Sequence, residues 1–585
     1  MERLKIGKDE VRQATKVLEE YKLGKANFEN RIISNEQWWK GRHWEQMRSE
    51  KDSSLPEPAS SWLFNSLINK HAQAMDNYPR ANILPREESD TQTAKILTDI
   101  LPVILEQNDY EEVYDDAWWY KLKAGTGVKG IFWNPAKNSG LGDIEIKRMN
   151  LLNLFWEPGV MDIQDSRNFF SVSLVDNDVL QSMYPQLSGL SGTQSVTVNK
   201  YIYDDAVSTE NKSLVVDWYY KVRDCAGTKL HYCRYVGDTV LYASENDPLF
   251  AERGFYDHGM YPFVFDNMFS EEGTPCGFGY LDIMKDCQMY IDKLDQAILV
   301  NTLCNAKPRY FIRSDGSINE EEFADTANTF IHTDMNLGTD SIRPVDRFQL
   351  SGNYMSVLQM KIEEIKETSG NKDFMQGGVM GGVSSGTAIT ALQEAGSKLT
   401  RDMIKGCYRA FTKECYIIIE LIRQFYTQPR VFRIVGENAE GEFISFDNSA
   451  LTVQPQGEKF GVDLGSRLPV FDIKVVAQKS NPFTRESQNE MILNLYKLGM
   501  FNPENSSQAL VAIEAMDFEG KEQMRESIVK NASIFNSMQQ LSAQVELLEQ
   551  QLRRETPAEQ SGSDIKLAPP GENGSRTKLK NVLRS

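Results

Sequence analysis

The chain has 585 residues, too many for one compact core, with an ordinary 41% of hydrophobic and 25% of charged residues. Its formal charge of -19 argues against a protein that wraps DNA by neutralising phosphates, which needs clustered Lys and Arg. It does not exclude an acidic wall past which DNA slides without sticking.

No run approaches the roughly 18 uninterrupted apolar residues of a membrane span, so no membrane contact is expected. The opening residues Met1 to Asp9 lack the apolar core of a signal peptide, which points to a cytoplasm-like compartment. The seven cysteines form no CxxC pair, and the five histidines show neither HExxH nor zinc spacing. No catalytic, metal or cofactor residue is therefore assigned.

The first thirty residues read as a helix with Val11, Leu18 and Tyr21 among many charges. Gln37-Trp38-Trp39-Lys40-Gly41-Arg42-His43-Trp44 follows, with three tryptophans in seven residues. A helix leading through Leu67-Ile68 should end at Asn77-Tyr78-Pro79, because the residue before proline avoids the helical region. Another helical segment covers 91–124. From 125 to about 270 the pattern turns to strands: a hairpin of 128–135 and 142–147, then a meander of 214–220, 230–235 and 239–243 with one solvated face.

A long helix is expected over 280–304, where Met284, Cys287, Ile291, Leu294 and Ile298 step by three and four. Its other side carries Asp282, Asp286, Asp292 and Asp295. A small α/β insert with strands at 308–313 and 329–332 separates it from a second amphipathic helix over 353–369, striped by Tyr354, Leu358, Ile362 and Ile365.

Between 370 and 386 lie six glycines, among them Gly377, Gly378, Gly381, Gly382 and Gly386, which imply a mobile loop. Gly377 and Gly382 have P-loop spacing, but Val383-Ser384 stands where Lys-Ser/Thr is required. Gly382-Val383-Ser384-Ser385-Gly386 matches a nucleophile elbow, yet no strand precedes it and the last histidine, His332, lies before it. Ser384 or Ser385 fits better as the cap of a helix running from 387 to about 426, with Gly396 and Gly406 as candidate kinks. Strands at 430–435 and 471–476 should return to the earlier sheet domain, which would then be discontinuous in sequence. Met524, Ile534, Met538, Leu541, Val545, Leu548 and Leu552 hold heptad positions in a helical region over 484–555, which packs either within its own subunit or between subunits. The last thirty residues read as disordered.

This order of elements resembles the portal proteins of tailed phages over nearly the whole chain. The tryptophan-rich segment with Asn65 and Asn77…Pro79 carries the likeness, together with the helix–insert–helix plan and the glycine-rich stretch. The resemblance implies a multidomain α+β fold: a wing (1–279), stem helix (280–305), clip (306–352), second stem helix (353–369), tunnel loop (370–386), long kinked helix (387–427), further wing strands (428–483), a helical crown or barrel (484–555) and a tail (556–585). It also implies a non-enzymatic ring of twelve subunits at one capsid vertex of the virion, assembled in the host cytoplasm, through which double-stranded DNA passes without sequence specificity. The implied partners are further copies of the chain, the terminase large subunit, a head-completion or adaptor protein, and the major capsid and scaffolding proteins. Asp282, Asp286, Asp292, Asp295 and Lys372 are then candidates to face DNA, and Arg309 and Arg313 in the clip candidates for phosphate or partner contacts. The alternatives are another phage head or neck protein, or a hydrolase built on Ser384.

Overall fold

Val11, Leu18 and Tyr21 share one helical face, and a computed structural model buries all three on α1 (Lys8–Trp39). The structure describes residues 5–48, 55–185, 187, 211–224, 227–306, 309–314, 319–325, 329–333, 338, 342–345, 352–370, 398–435, 441–455, 458–459, 462–463, 466–479, 497, 509–510, 513 and 521–555. The chain divides into two units, Met1–Ser480 and Asn481–Ser585.

Within the first unit, α1 is followed by α2 (His43–Met47), α3 (Trp62–Met75) and the strand β1 (Asn77–Pro85). The expected stop at Asn77-Tyr78-Pro79 is therefore where a strand begins. The segment 91–124 is two helices, α4 (Thr91–Glu106) and α5 (Tyr110–Ala124), broken at Asp109, whose φ of 48° is left-handed. Gly125 ends α5 with φ 84°. A Cβ there would sit 2.4 Å from the Gly277 carbonyl oxygen, so only glycine fits.

The expected hairpin is present: β2 (Thr126–Asn134) pairs antiparallel with β3 (Asp143–Arg148). A five-stranded antiparallel sheet runs in order β4 (Leu154–Trp156), β5 (Asn168–Asp176), β6 (Lys212–Asp224), β7 (Gly227–Val236) and β8 (Thr239–Ala243), with the short helix α6 (Asn177–Met183) after β5. Leu214, Val216, Trp218 and Tyr220 of β6 pack with Val11, Leu18 and Tyr21 of α1. The opposite face is not solvated as expected. Val215 lies buried with Leu180 and Val236, and Tyr219 meets Phe263 edge-on at 5.5 Å. A continuous apolar run marks a strand covered on both sides. Phe263 belongs to β9 (Phe263–Asn267), which flanks β2 on the side away from β3; the ribbon β10 (Phe269–Ser270) and β11 (Gly277–Phe278) follows.

Helix α7 (Tyr280–Ala306) then leads to the insert, where β12 (Tyr310–Ile312) pairs with β13 (Ile342–Pro344) and the helix α8 (Glu320–Ala324) is capped by Asn319. The strand expected at 329–332 is not formed there, and β12 pairs with 342–344. Helix α9 (Asn353–Ser369) has the expected bounds and ends at Gly370, φ 70°. The next described helix, α10 (Lys398–Phe425), buries Met403, Cys407, Phe411 and Ile418 in the main core. Residues 387–397, Gly396 among them, lie outside the described residues.

Strands β14 (Arg430–Val435) and β15 (Gly441–Phe446) form their own hairpin. Two small ribbons follow, β16 (Gln454–Pro455) with β19 (Ser466–Arg467) and β17 (Glu458–Lys459) with β18 (Val462–Asp463). The last strand, β20 (Phe471–Lys479), pairs with β1. The late strands therefore do not join the five-stranded sheet, although β20 does close on an N-terminal strand some 390 residues earlier. The fold is α+β.

In the second unit α11 (Lys521–Glu555) buries Ile528 beside Ala509 and Ile513. Its heptad residues Ile534, Met538, Leu541, Val545 and Leu548 are 51–66% exposed. The expected disordered tail lies outside the described residues.

Candidate functional site

The two apolar-striped helices meet. Cys287 Sγ of α7 lies 3.3 Å from the Lys361 carbonyl oxygen of α9, and the Lys361 ammonium sits over the Tyr290 ring. The inner half of α7 is anchored in the body through Tyr280, Leu281, Met284, Gln288, Ile291 and Asp292, all buried. Beyond Asp292 no residue of α7 is buried, and on α9 only Ile365 and Ser369, near its end, are. The halves flanking the insert therefore leave the body with apolar side chains uncovered: Leu303 at 52%, Met355 at 59% and Met360 at 55% exposure. Exposed apolar residues gathered on one helix pair mark a surface made for contact.

The acidic residues of α7 take different places. Asp282 lies in the first turn and accepts hydrogen bonds from the Gly279 N–H (3.0 Å) and the Asn35 amide (2.8 Å), which fixes the start of the helix. Asp286 is exposed. Asp295 is half-buried, and burial, then the charge of Asp292, raises its carboxyl above the usual range. The Asp292 side chain has no exposed area and lies 2.6 Å from His43 Nδ1. Arg309 and Arg313 are exposed on the insert. Lys372 and Gly377, Gly378, Gly381, Gly382 and Gly386, with Ser384, lie outside the described residues.

Sequence reasoning missed the residues that hold α7 in place. His43 stacks on Trp38 with ring centroids 4.5 Å apart. Trp39 packs against Trp119 and Phe64 at 5.1 and 4.9 Å, so the tryptophan-rich segment is a wedge beside α7. The signal was the segment itself; what could not be read was its partner, 249 residues away.

The body behind α7 is braced by buried charge. Lys129 on β2 lies 2.7 Å from Glu414 of α10, both side chains 1% exposed, and the Tyr110 hydroxyl donates to the second Glu414 oxygen at 2.6 Å. Burial, then the charge of Glu414, pushes the Tyr110 phenol well above its usual range. Lys121 pairs with Asp266 at 2.7 Å. Burial pushes the Cys407 thiol up to about 12, so it is an inert core group. These pairs join α5, β2, β9 and α10 into one support.

Paired rods around a small insert, with uncovered apolar ends and buried structural charge, define a chain built for assembly. The family model for phage P22-like portal proteins matches residues 63–567. The chain belongs to that family, whose proteins are structural. A portal protein of Helicobacter pylori bacteriophage KHP30 is 21% identical over 431 residues, 69% of this chain and 65% of that protein. The chain thus spans just under two thirds of the length of the curated relative it matches.

Proposed function

We propose that this chain forms a ring of twelve subunits at one capsid vertex and serves as the channel for packaging and ejecting double-stranded DNA. The observation that carries this reading is the α7–α9 pair, whose uncovered apolar side chains (Leu303, Met355, Met360) sit where neighbouring copies would pack. On this reading α7 and α9 are the stem helices, 306–352 the clip, and 370–386 the loop at the channel. The flanking regions 1–279 and 428–483 make the wing, 387–427 the long helix beneath it, and 484–555 the crown.

Exposed Asp286 is the acid on α7 best placed to line the channel, with Lys372 in the loop as a phosphate contact. An acidic wall repels phosphates and leaves DNA free to slide. The exposed clip, with Arg309, Arg313 and the 65%-exposed Phe311, is the docking site for the terminase large subunit and later for a head-completion or adaptor protein. Major capsid and scaffolding proteins hold the ring in the virion shell. Assembly occurs in the host cytoplasm.

Native mass spectrometry of the purified chain tests the reading. A dominant species near twelve times 66.6 kDa is expected. A monomer that persists at high concentration would overturn it.

A further inference from the structure

We propose that the exposed basic face of α10 docks against the acidic face of α5 on the next copy of the chain. This contact rests on the ring reading above and adds a second surface to it, distinct from the α7–α9 pair.

The two faces are set by sequence spacing. Arg401, Lys405, Arg409 and Lys413 follow one another at four-residue intervals and are all exposed, so one side of α10 carries a ridge of positive charge. The acids between 401 and 416 are Asp402, which is exposed, and Glu414, which is buried against Lys129. Among the described residues neither Lys405 nor Arg409 has an ion-pair partner, and Lys413 lies 3.6 Å from Asp162. Such a ridge stands out on a chain of formal charge -19. The run from Glu106 to Asp116 is its opposite, with six acids and no Lys or Arg. Glu112 and Asp116 stand one turn apart on the exposed side of α5, and Glu106 and Asp109 are exposed just before them.

The fold places these faces on opposite edges of one layer. The sheet beneath runs in the order β3–β2–β9. Asp116 of α5 reaches Arg148 at the end of β3, 3.3 Å away, while Thr412 and Lys413 of α10 share a cleft with Phe263 and Phe265 of β9. The buried sides of the two helices meet in between, where Tyr110 binds Glu414 at 2.6 Å and the Tyr114 hydroxyl lies 3.6 Å from Cys407 Sγ. Those contacts also set the helices level, 110–114 beside 407–414, so Glu112 and Arg409 stand at similar height on opposite edges. A surface whose complement lies on the far side of the same subunit repeats head to tail, and closes into a ring when the rotation between copies allows.

The surroundings of the ridge favour a protein over a nucleic acid. A cleft of about 660 Å³ opens beside Lys413, and Met161, Tyr416 and Val470 line it at 42–64% exposure. Charge mixed with uncovered apolar side chains suits a protein surface, whereas a phosphate backbone is met chiefly by polar and cationic groups. The acidic edge supplies the matching charge.

Sedimentation velocity of full-length variants, over a range of protein and salt concentrations, tests the contact. Lys405→Glu with Arg409→Glu makes both edges acidic; Glu112→Lys with Asp116→Lys makes both basic. Each double variant should stay folded by circular dichroism yet assemble about ten-fold more weakly than the wild type, because like charges then face each other. Mixed in equal amounts the two should assemble again, since alternating copies restore opposite charge at every junction. Wild-type assembly should weaken as salt rises. Either variant assembling alone as the wild type does would overturn the contact, as would a mixture no better than its parts. If the Lys405→Glu, Arg409→Glu chain still forms rings of twelve but loses binding to a short DNA duplex, the ridge is a nucleic-acid surface; the contact fails and the ring reading stands. Restored assembly into a number far from twelve would support the contact and fail the ring reading.

Discussion

Glu414→Ala isolates the buried charge that ties α10 to β2. The substitution removes the carboxylate that Lys129 meets at 2.7 Å and leaves that ammonium 1% exposed without its counter-charge. It also strips the Tyr110 hydroxyl of its acceptor. Breaking a buried pair in this way costs about 3–5 kcal/mol. The first unit spans 480 residues, and at about 2.1 cal/mol/K per residue its unfolding entropy is about 1 kcal/mol/K. If it unfolds as one cooperative body, Tm should fall by about 3–5 °C. Calorimetry of the purified variant measures this. The triple variant Lys129→Met, Glu414→Leu, Tyr110→Phe, which replaces the whole network with apolar groups of similar size, should recover most of the loss. A single variant that shifts Tm by less than about 1 °C, or a triple variant no better than the single, would refute the reasoning.

Three further outcomes are expected. Burial lowers the ammonium of Lys70 from 10.5 to about 8, so its cost to the fold is full below about pH 8 and fades as pH rises toward 10.5. Lys70→Met should therefore stabilise the chain by about 2–3 kcal/mol near pH 7 and hardly at all near pH 11; equal gains at both would contradict this. Burial, then the charge of Lys221, holds His258 down to about 4 against an ordinary 6.5, so stability is lost as pH falls through that window. In His258→Gln the acid-side slope of Tm should be shallower; an unchanged slope would reject the assignment. Leu303 and Met355 are more than half exposed in the single chain, so Leu303→Glu with Met355→Glu should leave the subunit folded by circular dichroism while abolishing the large oligomer. Intact oligomers in sedimentation would show that this face is not the contact.

Elements with a local signal were legible from the amino-acid order. Helix α9 fell at 353–369, because an amphipathic stripe ends at a glycine that takes the left-handed cap. The β2–β3 hairpin was marked by its turn residues. What escaped was set by distant pairing. Pro79 gave a helix stop, but the strand there exists because β20 binds it. The three residues of β13 carry no periodicity, so the strand that pairs with β12 could not be read. Asp292 read as solvent-facing because it follows Ile291 among charges, and only the fold brings His43 to it. Of the candidate site, the helix pair was legible as a pair of stripes, while the burial of individual acids depended on the segment packed over them.

In the proposed ring α7 and α9 act as one stave of a hollow cylinder. Electron cryomicroscopy of the purified chain tests that most directly. Closed rings of twelve copies are expected, with Leu303 and Met355 buried between neighbours and Asp286 toward the lumen. Rings with α7 on the outer surface, or particles without a central channel, would contradict it.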